Sequence, residues 1–330
     1  MRLCLAEAPV CGCGAKDQVS RVKAIMTCSR SACSAIDGMS HERGGPVVAR
    51  RMMIAVLMIA LVAGLAGCQA EAEKPTLTPT VAPPVIAEEG VLKVGIDLSY
   101  PPFGGTATDM DTGIDVDVAA AIAERLGCQL RVVDVKPAAL ASSLDGETID
   151  IMLGAIPITD AVLADATSAG SYIIDGPAFF TLGSADVGSV DSSETVTIAL
   201  EDVAALRVGA QNESGAFWVL EHEHGDGFVT TFDTLTEAFD ALEAGEVDVV
   251  AGSVIVGAYM ARDYEGITYA GQFGQAEPLG VAVAKDAVEL EAAVREALDG
   301  MAADGVLGTI RHKWVGDLPA LLVEGAATAG

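Results

Sequence analysis

From Val91 onward the chain repeats one pattern, a short apolar run followed by a stretch with helical spacing, and it does so in two rounds. Val91 to Ile96 predicts a strand, and Asp115 is placed to cap a helix reaching Leu126, with Val116, Ala119, Ala120, Ala123 and Leu126 roughly on one face. Leu130 to Val135 reads as the next strand, Ala138 to Leu144 as a short helix and Ile149 to Leu153 as a buried strand. The second round runs Leu206 to Ala210 (strand), Ser214 to Glu221 (helix) and Phe228 to Thr231 (strand). Thr234-x-x-Glu237 then has the form of a capping box, opening a helix with Leu235, Ala238, Phe239 and Leu242 on one face. Val247 to Ala251 and Val254 to Arg262 complete it as strand and helix. Such alternation means parallel sheets covered by helices, and two rounds mean two similar α/β lobes. Ligands in such folds bind at the carboxyl ends of strands, so a cleft between facing lobes is the expected site.

The first 67 residues are different in kind. They carry Arg2, Lys16, Arg21, Lys23, Arg30, Arg43, Arg50 and Arg51, whereas the chain as a whole has a net charge of −28. Met52 to Gly67 then carries no charge. It is shorter than the roughly 20 apolar residues of a membrane span, so it reads as a signal-peptide core, with a plain transmembrane anchor as the alternative. Leu65-Ala66-Gly67-Cys68 resembles the lipobox of bacterial lipoproteins, in which the peptide is cut before the Cys and its sulfur is lipidated. Met1 to Gly38 is expected to be an over-extended start, with translation beginning at Met39 or a little later. Residues 69–90, with Pro75, Pro79, Pro83 and Pro84 among Thr, Ala and Glu, cannot bury a core of their own and are expected to form an extended tether. With Cys68 lipidated, Cys128 has no partner downstream, so no disulfide is expected and Cys128 is read as a small buried hydrophobe. Cys11-x-Cys13 and Cys28-x4-Cys33 have poor zinc spacing.

Charge and composition exclude some functions. No Lys or Arg cluster follows Cys68, so nucleic acid is excluded as a partner. Four His leave few catalytic bases, and no Cys–His or Ser–His–Asp set can be placed. His222 and His224 are read as part of an exposed polar loop rather than a metal site. No metal or other cofactor is expected.

Several segments in order resemble one family. Val94-Gly95-Ile96-Asp97-Leu98-Ser99-Tyr100-Pro101-Pro102-Phe103 looks like the opening strand and loop of the polar amino-acid solute-binding proteins of ATP-driven (ABC) importers. Gly113-Ile114-Asp115-Val116-Asp117-Val118 is similar to that family's first helix start, with Ile114 where Phe is usual. Ile149-Asp150-Ile151-Met152, Ile158-Thr159-Asp160, Val208-Gly209-Ala210-Gln211 and the segments 242–248 and 277–283 fit later landmarks, and Ala303-Asp304-Gly305 to Trp314 completes the match. The resemblance implies a two-lobed periplasmic-binding-protein-like fold of type II, with parallel-rich sheets flanked by helices. Residues 1–67 are then extension and signal peptide, 68–90 lipidated Cys and tether, 91–181 the first part of lobe 1, 182–280 lobe 2, and 281–330 the return to lobe 1. The chain would cross between lobes near Phe180 to Gly183 and near Gly280 to Val283, and close over its ligand by a hinge motion.

The resemblance implies where the ligand would sit, and here the sequence departs from the family. The Arg expected three residues after the Thr of Ile-Thr, which anchors an α-carboxylate, is Val162, and the carboxylate expected after the strand at Val247 to Gly252, which holds an α-ammonium, is Ser253. Gly154 and Ala155 occupy positions that are often Ser or Thr. Asp97, Tyr100 and Phe103 remain at the end of the first strand, where a carboxylate takes a cation and a phenol stacks or hydrogen-bonds. Gln211, Asn212 and Ser214 lie between a strand and a helix start, where free backbone N–H groups receive a polar oxygen or anion. The surviving groups favour a neutral or cationic polar ligand, such as an amide or amine. The expected protein is a monomeric, lipid-anchored binding subunit, outside the cytoplasm, that passes a small polar solute to an ABC permease. Two alternatives stay open: a ligand-sensing or degenerate lipoprotein, and a dehydratase-type enzyme on the same fold.

Overall fold

The computed structural model describes residues 78–145, 148–159, 163, 166–183 and 197–323. The signal peptide, the upstream cysteines, Cys68, the first part of the tether and Val162 lie outside the described residues. One sheet has the strand order β4-β1-β5-β12-β6, built from β1 (Val91–Ile96), β4 (Gln129–Asp134), β5 (Ile151–Pro157), β6 (Ala166–Asp175) and β12 (Glu277–Ala284). A second has the order β11-β7-β10-β8-β9, built from β7 (Pro177–Leu182), β8 (Val208–Gln211), β9 (Thr230–Phe232), β10 (Val249–Ser253) and β11 (Ile267–Gln272). A small hairpin of β2 (Gly105–Ala107) and β3 (Met110–Thr112) stands apart from both.

The alternating part of the sequence forms the parallel half of each sheet: β1 runs parallel to β4 and β5, and β8 parallel to β9 and β10. The other half of each is antiparallel. β12 pairs against both β5 and β6, and β7 against both β10 and β11. These four strands follow one another without an intervening helix or return from far along the chain, so the βαβ pattern does not announce them. The two sheets exchange the chain at Gly176, between β6 and β7, and again over 273–276, between β11 and β12. Both changes fall earlier than the expected crossings at 180–183 and 280–283, because β7 and β12 each pair along their length within one sheet. The crossings also touch. A Cβ on Gly176 would lie 2.8 Å from Ala276 Cα, so only glycine admits this approach.

Helices cover the sheets. α1 (Ile114–Arg125) buries Ile114, Val118, Ala119, Ile122 and Ala123, a stripe rotated from the expected one, with Ala120 exposed. Its N-cap is Gly113, not Asp115, and no side chain caps it. The reason is backbone geometry: Ile114 N donates to Pro102 O (2.8 Å) and Asp115 N to Phe103 O (3.0 Å), so the preceding loop supplies the acceptors a capping side chain would. The segment at Ala138 to Leu144 divides into a single 3₁₀ turn (Pro137–Ala139) and α2 (Leu140–Asp145). In the second round, α3 (Gly215–His224) is capped by Ser214, whose Oγ accepts from Phe217 N at 3.1 Å. His222 and His224 sit in the last turn of this helix rather than in a loop, and the His224 ring stacks on Phe228 at 4.0 Å. Among the described residues no group of acidic, His and Cys side chains could hold a metal. α4 (Leu235–Glu243) opens on the expected capping box, with Thr234 Oγ1 accepting from Glu237 N at 3.2 Å and Glu237 Oε2 from Thr234 N at 3.3 Å. α5 (Val254–Ala261) follows β10, and α6 (Val288–Ala303) and α7 (Val306–Val315) close the fold against β6 and α1.

The tether needs correction over 78–90. Thr80 N and Oγ1 both donate to Leu126 O, Val81 and Ile86 are buried, and Ala87 N donates to Asp150 Oδ1 at 2.8 Å. Asp150 Oδ2 also accepts from Lys93 N, so one carboxylate joins this segment to β1. Full burial of an Ile side chain contributes roughly 1.5–3 kcal/mol, which outweighs the low apolar content of the segment as a whole. Cys128 is buried at 2% exposure, as a small hydrophobe would be.

Candidate functional site

A cavity of about 1020 Å³ opens where the chain passes between the two sheets. Its wall is drawn from strand ends of both. Asp97, Tyr100, Gly154, Ala155 and Asp175 come from the first sheet, and Gln211, Asn212, Ser214 and Ser253 from the second. Of the residues expected at the site, Val162 lies outside the described residues, and Phe103 is in the core at 1% exposure. Phe103 stands behind the wall: its ring stacks on Tyr100 with centroids 5.6 Å apart and planes 11° from parallel, while Tyr100 stays 44% exposed. Two fixed rings in register hold the outer one at low entropic cost.

Asp97 is not the open cation acceptor that its position suggests. Its Oδ1 takes Lys136 Nζ at 2.5 Å, Ser99 Oγ at 2.7 Å and Ser99 N at 2.9 Å. Burial pushes its carboxyl up, but the Lys136 and Ser99 bonds outweigh this and hold it below the ordinary carboxylate range. Its charge is already met from within the chain.

Gln211, Asn212 and Ser214 also spend their groups locally. Asn212 N donates to Phe232 O at 2.8 Å, Ser214 N to Gln211 O at 3.2 Å, and Gln211 Nε2 to Asp233 O at 3.4 Å. The expected seat for an anion therefore has fewer free N–H groups than the sequence suggests. Glu213 beside them adopts a left-handed φ of 57°, is exposed, and adds a negative charge to the rim. On the other wall Ala155 has a φ of 53°, and its N–H donates to Tyr172 Oη at 3.3 Å. Tyr172 Oη donates in turn to Asp115 Oδ1 at 2.6 Å, in the core behind the wall. A non-glycine residue in this region costs on the order of 1–3 kcal/mol and persists only where its surroundings fix it. The Tyr172–Asp115 pair lies in place to do so.

Asp175 escaped the sequence reading. It ends β6 immediately before the first crossing and lines the cavity. Its Oδ2 accepts from Ser253 Oγ at 2.7 Å and its Oδ1 from Ile255 N at 3.1 Å. Ser253 Oγ accepts from Val256 N at 3.1 Å, capping α5, so Ser253 and Asp175 act as one unit at that helix start. Burial pushes the Asp175 carboxyl above its ordinary range, although Ser253 and the N–H groups of Ile255, Gly176 and Val254 draw it down. Burial likewise raises the Tyr100 hydroxyl, and the Asp175 charge adds to this. The apolar run Ile173-Ile174 broken by Asp175-Gly176-Pro177 is the one sequence signal for a chain reversal here. Altogether the wall holds the carboxylates Asp97, Asp175, Glu213 and Glu277 and no Lys, Arg or His among the described residues.

Comparison with known proteins agrees with this architecture. Residues 92–317 match the bacterial extracellular solute-binding proteins, family 3. The L-cystine-binding protein TcyJ of Escherichia coli K12 is 25% identical over 271 residues, covering 81% of this chain and 96% of its own. The L-arginine-binding protein of Pseudomonas aeruginosa is 26% identical over 244 residues, covering 70% of this chain and 90% of its own. The L-cystine solute receptor of Neisseria gonorrhoeae, in its unliganded open conformation, superposes with a TM-score of 0.60 at 18% identity, covering 70% of this chain and 95% of the receptor. Two sheets joined by paired crossings, the cavity beside them and the matched span make this chain a member of the family 3 bacterial extracellular solute-binding proteins.

Proposed function

We propose that this chain is the capture subunit of an ABC importer, held outside the membrane through a lipid on Cys68, and that it closes two lobes over an amino acid or related polar solute that is neutral or cationic. The lobes are the two sheets with their helices, and the touching crossings at Gly176 and 273–276 are the hinge. One observation carries the ligand class: the cavity wall has four carboxylates, of which Asp97 is paired with Lys136, and no basic side chain among the described residues. An anionic solute entering such a wall would lose hydration and meet like charge, a combination that costs several kcal/mol. The relatives point the same way, since cystine carries two ammonium groups and arginine a guanidinium.

Thermal unfolding of the purified protein against amino acids, amines, amides and dicarboxylates tests this. A ligand at about 100 times its Kd stabilises by about 2.7 kcal/mol, which raises the midpoint by roughly 5–10 °C. The expected hits are cationic or neutral amino acids, cystine and arginine among them. A flat panel would overturn the capture function, and a largest shift with glutamate or another dicarboxylate would overturn the charge preference.

A further inference from the structure

We propose that the cationic group of the ligand is held at the hinge by the carboxylate of Asp175, oriented by Ser253, and not by Asp97. This rests on the capture function and names the contact that would carry its specificity.

Several carboxylates already have a cation. Asp97 is paired with Lys136, Asp117 with Lys313, Asp248 with Arg207, Asp304 with Arg125, Glu88 with Arg131 and Glu291 with Arg295. Asp175 has no Lys, Arg or His partner among the described residues. It stands in the cavity wall, partly buried, with neutral donors on its two oxygens. A carboxylate withdrawn from water and lacking a counter-charge is unfavourable, and a partner with complementary charge relieves it. An ionised carboxylate offers about four lone-pair sites. Direct hydrogen bonds from Ser253 Oγ and Ile255 N meet two of these, and the N–H groups of Gly176 and Val254 also act on the carboxylate. Tyr100 lines the same cavity, and the Asp175 charge acts on its hydroxyl.

The position also matters mechanically. Asp175 ends a strand of the first sheet, while Ser253 and Ile255 belong to the second. A cation seated there touches the crossing itself, so binding and closure would share one contact.

Titration calorimetry of the purified protein with L-arginine, L-lysine, L-glutamine and L-cystine provides the test, each compared with an analogue whose α-amine, or for L-arginine also guanidinium, is replaced by hydrogen. If none of the four amino acids binds, the capture function fails before the Asp175 assignment is reached. Where one binds, D175N is expected to weaken it by roughly tenfold to a hundredfold, the size of a charge-assisted hydrogen bond. The same variant should leave affinity for the analogue lacking the contacted nitrogen nearly unchanged. If D175N retains the full preference for the cationic probe, Asp175 is only a helix cap and the proposal is overturned. Should D175N not fold, S253A keeps the charge but frees one oxygen. It is expected to reduce the cationic preference several-fold, and an unchanged preference there would overturn the proposal equally.

Discussion

Replacing Asp115 with Asn is expected to erase a pH-dependent loss of stability amounting to about 4 kcal/mol between roughly pH 4 and pH 7. Asp115 is fully buried in the first turn of α1, and burial raises its carboxyl from 3.8 to about 7 against the downward pull of the Tyr172 bond and Ala155 N. Its Oδ2 has no hydrogen-bond partner, so half of the carboxylate is left without a direct donor. The folded chain therefore binds more protons than the unfolded one between the two values. Stability contributed by this group is full below the unfolded value, falls as pH rises through the window, and levels off above about 7. Asn keeps an acceptor for Tyr172 Oη but does not titrate. Its amide donor would lack a partner at a cost of about 1–3 kcal/mol, the same at every pH. The informative quantity is thus the difference in urea-unfolding free energy between parent and variant across pH, in which every other titrating group cancels. A difference that grows in the variant's favour up to neutral pH is the expected result. A flat difference would mean that Asp115 is solvated or paired in the fold.

Gly113→Ala is expected to cost about 3–5 kcal/mol, by displacing the loop that carries Tyr100. Gly113 has a φ of 143°, a region open to glycine and closed to residues with a Cβ. A Cβ there would lie 2.0 Å from Phe103 O and 2.6 Å from Phe103 C, and both obstacles are backbone that cannot rotate aside. The strain itself is on the order of 1–3 kcal/mol. Moving the loop also weakens the bonds from Ile114 N to Pro102 O and from Asp115 N to Phe103 O, each contributing about 0.5–1.5 kcal/mol. Thermal unfolding should show a midpoint lower by roughly 6–20 °C. A fall of under 2 °C would mean that the loop yields freely and is not held by this turn.

The parts of the fold legible in the sequence are those whose cause is local. The period of Val91 to Ile96, the capping box at Thr234, and the strand-then-helix order at Val208 to His224 are properties of neighbouring residues, and each appears in the fold. β6 is different: its first six residues are Ala, Thr, Ser and Gly with little apolar period, and its pairing comes from β12, with Ser171 Oγ bonding Leu279 O across 108 positions. Asp115 looked like a cap because capping residues stand at helix starts. Its environment is instead set by Tyr172 and by a loop whose carbonyls had already met the helix N–H groups. Residues 78–90 read as a tether by composition, yet two apolar side chains and the Asp150 carboxylate suffice to fix them.

The site divides in the same way. Tyr100, Gln211, Asn212 and Ser214 follow from strand ends that converge in such folds, whereas Gly154, Ala155 and Ser253 follow from the family resemblance, and all of them line the cavity. What each is free to do was not reachable. Asp97 is met by Lys136, 39 positions away, and Asp175 becomes prominent because no Lys, Arg or His pairs with it among the described residues. Availability depends on the rest of the chain, which spacing along one segment does not record.

The two tryptophans stand in unlike surroundings, and this gives the molecule a built-in optical reporter. Trp218 on α3 is 58% exposed, follows Phe217 in an edge-to-face contact at 4.9 Å, and precedes Val219 on the cavity wall. Trp314 on α7 is partly buried, with its indole N–H donating to Asp117 Oδ2 at 2.7 Å and Lys313 lying 5.0 Å from its ring. Emission from the first is expected to respond to events beside the cavity wall, while the second is set by Asp117, Lys313 and the Tyr259 ring of α5 at 6.2 Å. A soluble quencher is expected to reach the exposed first indole before the partly buried second, which gives two distinguishable signals in the unlabelled protein.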